Sequence, residues 1–118
     1  MCDNQTIAEI LKDTLNLLYK KNNWTVGVKA RNRHCSKHHS PLGDSVPSWS
    51  YDACKWSLAG AIERCAIDAE AYKDLLIIYA AINKELNNES IADFNDRASH
   101  EEIITLLKKV MKKYSNDS

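Results

Sequence analysis

The chain has 118 residues, a length that suits one domain and leaves little for a second. Sixteen Lys and Arg balance sixteen Asp and Glu, and this neutrality argues against a nonspecific nucleic-acid binder, which needs a cationic surplus. With 44% hydrophobic and 27% charged residues, the composition is that of a chain that folds, not of a disordered one.

Compartment is predicted from the apolar segments and the cysteines. No stretch approaches the roughly 20 apolar residues of a membrane-spanning helix, and the polar first residues do not resemble a signal peptide. We expect Cys2, Cys35, Cys54 and Cys65 to be reduced in a cytoplasm, because disulfide-dense secreted domains are smaller and have less core. Two disulfides, with secretion through a specialised apparatus, stay open as the alternative.

Helical periodicity begins near the N-terminus. Thr6 and Glu9 have the spacing of a capping box, and the pattern predicts a first helix over residues 6–20. Its buried side is expected to be an apolar stripe of Ile7, Ile10, Leu11, Leu15 and Leu18.

Residues 24–48 lack helical periodicity and are predicted to form a long irregular loop. Alternation at Trp24, Val26, Val28 and Ala30 leaves room for a short extended segment within it. From residue 31 to 47 neither period is present, and Pro and Gly residues mark turns. A loop of this length in a compact domain is usually functional or mobile.

Helical patterns fill the rest of the chain. A second helix is predicted over residues 51–65, capped by Ser48 or Ser50; since it is apolar almost all round, it belongs at the centre of the domain. A third opens at Asp68 and ends near residues 87–88, and a short capped turn covers residues 91–95. Ser99 and Glu102 form a capping box for a last helix, followed by a frayed tail at residues 115–118. The prediction is therefore one mainly α, compact domain over residues 1–118, with four to five helices and a basic loop between the first two.

Candidate metal and catalytic residues gather in that loop. His34, Cys35, His38 and His39 place four ligand types within six residues, but zinc sites usually draw on two separated segments. A nucleophilic thiol needs an oriented base and a held geometry, which the sequence around Cys35 does not provide. We therefore expect no metal, no cofactor and no catalytic residue.

Charge is strongly segregated along the chain. No acidic residue lies between Asp13 and Asp44, whereas six basic residues do, and the rest of the chain holds ten basic and sixteen acidic residues. Trp and Arg anchor protein interfaces, so we predict a surface that docks on an acidic protein rather than on nucleic acid or membrane. The predicted partner-binding residues are Trp24, Lys29, Arg31, Arg33, Lys37 and Trp49. The alternative is that the charges are merely solvated and the tryptophans lie in the core.

Three segments resemble a bacterial and phage family without an established activity. They are Trp24 to Arg31, read as Trp-x-x-Gly-x-x-Ala-Arg; the helix with Gly60 and Ala61; and an aromatic-Asn-Asp turn at residues 94–96. The similarity spans residues 7–112 and implies a fold rather than a reaction. The His-rich loop around Cys35 departs from the family pattern.

The size, the helical content and the Lys/Asn/Ile-rich style are also similar to a small Legionella effector-regulator that inhibits ubiquitin-directed transglutaminase and deamidase effectors. This resemblance implies a helical inhibitor without catalysis, dimeric when alone, that covers the active site or the ubiquitin-binding face of a papain-like target. It also implies residence in a bacterial cytoplasm, or in a host cytosol after translocation. The competing hypothesis is a phage-type or defence-linked protein that binds a small anion such as a nucleotide through the same basic residues.

Overall fold

Helices and a small sheet make up residues 4–32 and 44–115, the part of the chain that this computed structural model describes. The helices are α1 (Asn4–Leu18), α2 (Leu58–Asp68), α3 (Leu75–Glu85), α4 (Ile91–Arg97) and α5 (His100–Ser115). The strands are β1 (Ala30–Asn32), β2 (Ser45–Val46) and β3 (Ala53–Trp56), and 3-10 turns cover Lys21–Asn23 and Tyr72–Asp74. The predicted mainly α, compact single domain is confirmed.

The first and last helices pack antiparallel. α1 makes its most extensive helix contact with α5 and its next with α2. His100 Nε2 at the start of α5 donates to the Leu18 carbonyl at the end of α1 over 2.6 Å, which brings opposite termini together. The predicted stripes supply the contact, since these side chains are buried: Ile7, Ile10, Leu11, Leu18, Ile103, Leu107 and Val110.

Local capping signals predicted the starts of α4 and α5 correctly and the start of α1 incorrectly. The Ser90 hydroxyl caps α4, and Ser99 and Glu102 form the expected capping box at α5 with bonds of 3.0 and 3.1 Å. Helix α1, however, already includes Asn4, so Thr6 lies inside the helix and does not begin it.

The predicted helix over residues 51–65 is wrong in its first half. Ala53–Trp56 is strand β3, and α2 begins only at Leu58, where the Ser57 hydroxyl accepts a hydrogen bond from the Gly60 amide. The strand forms because β1 offers it backbone partners, with Ala30 opposite Trp56 and Arg31 opposite Lys55. Such pairing across more than 20 residues overrides a local helical pattern.

The third helix also starts later than predicted. Asp68 is the last residue of α2, not the first of α3, because Glu70 adopts φ +55°. The Ala71 amide then bonds the Ala66 carbonyl at 2.8 Å, which closes the helix in a Schellman-type end. Asn87 has the same left-handed conformation after α3, so the end expected near residues 87–88 is confirmed.

Residues 24–48 are more ordered than the predicted irregular loop. Within their described part, β1 lies at the centre of an antiparallel sheet of order β2-β1-β3, with Ala30 opposite Val46. The extended segment expected over residues 24–30 is thus displaced to Ala30–Asn32. Residues 33–43 and 116–118 lie outside the described residues, and Ser115, which the prediction placed in a frayed tail, ends α5.

Close approach of two backbones requires glycine at the start of α2. A Cβ built on Gly60 would lie 2.0 Å from the Lys29 carbonyl oxygen, a distance no real side chain tolerates. The same carbonyl accepts a 3.0 Å hydrogen bond from the Ser57 amide. Helix α2 is therefore fastened directly to the residue that precedes β1.

One buried carboxamide joins three separate segments. Asn95 in α4 is 1% exposed. Its Oδ1 accepts from Trp24 Nε1 at 2.8 Å and from the Leu58 amide at 3.0 Å, and its Nδ2 donates to the Thr25 carbonyl at 3.1 Å. We call this arrangement the Asn95 hub; it links α4 to the start of α2 and to the segment before β1.

Two further contacts extend the hub toward the sheet. The Gly27 amide donates to Asp96 Oδ1 at 2.9 Å, and Gly27 has φ +84°, a conformation that favours glycine. Arg31 Nε donates to Thr25 Oγ1 at 2.9 Å and Nη2 to the Val26 carbonyl at 3.2 Å. The three segments that carry the family resemblance therefore meet inside the molecule.

Among the described residues, no helix is long and apolar enough to cross a membrane.

Replacing the hub carboxamide tests this organisation. Asn95→Ala leaves the buried Leu58 amide and the Trp24 indole without an acceptor, so we expect the free energy of unfolding to fall by about 3 kcal/mol. Urea denaturation measures the difference. Asn16→Ala, at an exposed position of α1, is the matched control and should change stability by less than about 0.5 kcal/mol. Equal effects of the two substitutions would contradict the hub.

Candidate functional site

Two large aromatic side chains project from the connection between β2 and β3. Trp49 is 61% exposed and Tyr51 is fully exposed, although the chain around them is tightly hydrogen-bonded. We call residues 47–52 the aromatic turn. Exposed aromatic residues occur singly on most proteins, but two within three residues on one turn form a feature that needs an explanation.

The backbone of the aromatic turn is closed by its own hydrogen bonds. The Ser50 amide donates to the Pro47 carbonyl at 3.0 Å, and the Ala53 amide donates to the Ser50 carbonyl at 3.1 Å. Buried Trp56 of β3 adds a third bond, from its indole Nε1 to the Ser48 carbonyl at 3.0 Å. These bonds hold the turn against the strand that follows it.

Arg64 of α2 also holds the aromatic turn in place. Its Nη1 lies 3.4 Å from both the Ser48 and the Ser50 carbonyl oxygens, and its guanidinium carbon is 5.6 Å from the Trp56 ring centroid. Nε pairs with Asp68 at 3.1 Å, one helical turn further along. A planar guanidinium suits this position because it can bond carbonyls and stack on an indole at once.

Glu63, the neighbour of Arg64, holds the other side of the turn. The fully buried Ser48 hydroxyl donates to Glu63 Oε1, and Lys29 Nζ pairs with Glu63 Oε2 at 3.3 Å. Buried hydroxyls normally require such a partner. Ser48 therefore holds the backbone in place just before Trp49, the exposed residue that follows it.

A fixed backbone with free aromatic side chains is suited to binding a protein. Association normally loses free energy when loops and side chains become ordered, and a turn that is already ordered avoids part of that loss. Trp and Tyr are also the side chains that most often dominate the energy of interfaces. The aromatic turn is therefore our candidate site.

The buried thiol of Cys65 and the partly buried phenol of Tyr79 are held in their protonated forms. Burial raises the pKa of Cys65 to about 11, so its thiol is neutral at physiological pH and is a poor nucleophile. Burial also raises the pKa of Tyr79, whose hydroxyl donates to the Ala59 carbonyl at 3.0 Å. The described residues contain no group of three or more metal-ligating side chains, and the metal candidates His34, Cys35, His38 and His39 lie outside them.

Comparison with known proteins identifies a family. A family of unknown function, DUF6197, matches residues 3–113, nearly the whole chain. The chain belongs to DUF6197. Searches of the curated proteins and of the solved structures give no match. The DUF6197 match includes both the Asn95 hub and the aromatic turn.

The predicted partner-binding residues of this DUF6197 member fall into three groups. Trp49 lies on the aromatic turn. Lys29 is exposed and pairs with Glu63, the residue that binds Ser48 of the turn. Trp24 and Arg31 face inward instead: the Trp24 indole is part of the hub and packs 5.8 Å from the His100 ring, and Arg31 bonds Thr25 and Val26. Arg33 and Lys37 lie outside the described residues.

Three residues of the site were missed from the sequence. Tyr51 was assigned to a helix, and Glu63 and Arg64 were not singled out because they look like ordinary surface charges of an amphipathic helix. The available signal was the run Pro47-Ser-Trp-Ser-Tyr51, whose Pro and Ser residues favour a turn.

Removing the guanidinium should loosen the aromatic turn. Arg64→Ala deletes the bonds to Ser48 and Ser50, and we expect faster hydrogen exchange of the Ser50 and Ala53 amides and a stability loss of about 1–2 kcal/mol. Arg64→Lys keeps the positive charge but lacks the planar guanidinium. We therefore expect it to give the same hydrogen-exchange pattern as Arg64→Ala.

Arg97→Ala serves as the control for this prediction. Arg97 pairs with Glu89 at 2.6 Å on the surface of α4 and lies over the Phe94 ring. Arg97→Ala therefore also removes an ion pair and a ring contact, as Arg64→Ala does. Exchange of the turn amides should be unchanged. Protection that survives Arg64→Ala would show that the other bonds suffice to hold the turn.

Proposed function

We propose that this DUF6197 protein is a non-catalytic protein-binding module. Its most concrete form is an inhibitor of a bacterial ubiquitin-modifying effector of the papain-like transglutaminase or deamidase type, acting by covering the active site or the ubiquitin-binding face. The observation that carries the proposal is the rigid aromatic turn with Trp49 and Tyr51 exposed. The choice of target class comes from the resemblance of the sequence to the Legionella effector-regulator.

An exposed positive charge beside the turn suits an acidic partner. Lys29 remains exposed at Glu63, the carboxylate that accepts from Ser48 of the turn. A surface of ubiquitin is basic, so proteins that recognise it tend to be acidic, and a basic competitor suits their binding face. Such charges raise the rate of association and select the partner more than they strengthen the final complex.

In the absence of a target, we propose that the chain associates with itself as a homodimer. The proposed setting is a bacterial cytoplasm, or a host cytosol after translocation, where both the effector and its regulator would be present. Neither a cofactor nor a nucleic acid has a part in this proposal.

Truncating the two exposed aromatic side chains tests the proposal. Trp49→Ala with Tyr51→Ala should weaken inhibition and binding of such an effector by at least about 30-fold, the effect of losing one hot-spot residue of about 2 kcal/mol. Titration calorimetry and a ubiquitin deamidation or transglutamination assay measure the two quantities. The melting temperature should change little because both side chains are in solvent.

Tyr19→Ala is the matched control, since Tyr19 is 63% exposed but lies at the end of α1 rather than on the turn. It should leave inhibition unchanged. Wild-type protein that fails to slow the effector at stoichiometric concentration would refute the specific form of the proposal. Equal loss with Tyr19→Ala would remove the aromatic turn from it.

One observation favours the anionic-ligand alternative. Between the end of α1 and the start of α5 lies an open cleft of about 530 Å³, lined by Tyr19, Lys21, His100 and Lys108, together with Ser99, Glu101 and Ile104. Two ammonium groups at one cleft can attract a phosphate.

A thermal-shift series against nucleotides separates the two functions. A nucleotide raises the melting temperature only if it binds the folded protein. The protein-binding proposal therefore predicts no shift in melting temperature at micromolar nucleotide. A clear rise that disappears in the Lys21→Ala, Lys108→Ala double variant would favour the anionic ligand instead.

A further inference from the structure

A cleft of about 340 Å³ opens where α1, α2 and the end of β3 meet. We call it the α1–α2 cleft. Leu17 and the ring of Trp56 form part of its wall, and Trp56 is only 7% exposed. Asp13 and Asp68 also line the cleft, and both are exposed. The cleft therefore has an apolar wall and carboxylates at its rim.

The α1–α2 cleft adjoins the aromatic turn. Arg64, which lines the cleft, lies 3.4 Å from the Ser48 and Ser50 carbonyl oxygens of the turn. The indole N–H of Trp56 is bonded to the Ser48 carbonyl, so only the ring of Trp56 is left to contact a molecule in the cleft. A protein that packs on the exposed side chains of the turn therefore comes to lie beside the cleft.

The charges of the α1–α2 cleft do not cancel. The Arg64 guanidinium pairs with Asp68 at 3.1 Å. Asp13, in contrast, makes no hydrogen bond or ion pair with any residue in the ranges 4–32 and 44–115. Burial chiefly raises the pKa of Cys65 in the cleft wall, and both carboxylates raise it further, so they lie close to one point. The cleft keeps a net negative charge at Asp13.

We propose that the α1–α2 cleft receives the side chain of one lysine or arginine of the protein that packs on the aromatic turn. The inference rests on the proposed function and specifies how the partner is recognised. Lysine and arginine side chains place their methylene groups along apolar surface and keep the charged end in water. Here the methylene groups lie along Leu17 and the Trp56 ring, and the charged end meets Asp13.

Opposite charges on the two sides of the aromatic turn determine the orientation of the partner. On one side, exposed Lys29 pairs with Glu63, which accepts from the Ser48 hydroxyl. On the other side, the Asp13 carboxylate is unpaired among the described residues. A mainly acidic partner with one basic residue at the matching place satisfies both sides. A partner turned by 180° sets like charges against each other, which is unfavourable.

The basic side chain has to belong to a docked protein for the contact to be strong. One exposed ion pair contributes little by itself, so a free amine binds weakly. A side chain carried by a bound protein enters the cleft at a high effective concentration. For a free lysine analogue we expect a dissociation constant on the order of 1–10 mM, as is usual for a ligand of this size.

Titration of the isolated protein with capped amino acids tests the cleft without any effector. N-acetyl-lysine N-methylamide and its arginine counterpart should shift the Leu17 methyl and Asn16 side-chain amide resonances saturably. The norleucine analogue has the same carbon chain without the ammonium, and it should bind about 3- to 5-fold more weakly, the effect of one exposed ion pair. Asp13→Asn should reduce binding of the lysine analogue to the norleucine level.

Asp93→Asn is the matched control, since Asp93 is an exposed aspartate of α4 that does not line the cleft. It makes the same change in net charge and should leave binding of the lysine analogue unchanged. The melting temperature of both variants should stay close to that of the wild type, because each altered side chain is exposed.

Charge reversal in the presence of the effector tests the second half of the inference. Asp13→Lys replaces an attraction by a repulsion and should weaken effector binding in titration calorimetry by about 10-fold. Asp93→Lys should bind like the wild type. If the wild type binds the lysine analogue but no effector of this class, the cleft stands as a site for a basic side chain and the proposed target is wrong.

Three results would overturn the inference. The absence of any saturable shift with about 50 mM lysine or arginine analogue shows that the cleft takes no basic side chain. Equal binding of the norleucine and lysine analogues shows that Asp13 has no part in recognition. Effector binding that is intact in Asp13→Lys shows that no cation of the partner enters the cleft, even where Trp49→Ala with Tyr51→Ala confirms the aromatic turn as the interface.

Discussion

The carboxamide of Asn95 is the contact on which the arrangement of this molecule depends. It satisfies the Leu58 amide at the start of α2 and the Trp24 indole, and it donates to the Thr25 carbonyl. An amide side chain suits this position because it offers an acceptor and donors at one point. Without it, several polar groups would be buried unpaired, at a cost well above that of one average hydrogen bond.

The hub determines the position of the candidate surface. Through Thr25 and Arg31 it sets the segment that leads into β1, and through Leu58 it sets the start of α2. Helix α2 in turn carries Glu63 and Arg64, which hold the aromatic turn. The buried polar contacts and the exposed aromatic side chains are thus two ends of one rigid framework.

Sequence periodicity predicted those parts of the fold that depend on neighbouring residues. The stripes of α1 and α5, the Ser90 cap and the Ser99 capping box are all local patterns, and all are present. The strand at residues 53–56 was mistaken for helix because its partner is more than 20 residues away. Pairings of that kind leave no local signal in a single sequence.

The site was predicted in part for a similar reason. Trp49 was assigned to the surface, where it lies, whereas Arg31 was assigned there because it belongs to the run of basic residues between Asp13 and Asp44. Its actual partners, Thr25 and Val26, become available only because Gly27 turns the chain back. Arg64, in contrast, was not predicted to belong to the site. Its helical spacing suggests a surface ion pair with Asp68, but its main role is to bind two carbonyls of the turn.

The three tryptophans allow a direct test of the claim that the aromatic turn, and not the inner hub, meets the target. Trp24 and Trp56 donate their indole N–H groups to Asn95 and Ser48 inside the protein, whereas Trp49 is exposed. Indole ¹H–¹⁵N spectra recorded during titration with a papain-like ubiquitin transglutaminase or deamidase follow all three at once. We expect the Trp49 resonance to shift or broaden at stoichiometric target while the other two stay in place. A complex that forms with the Trp49 resonance unchanged would contradict the account.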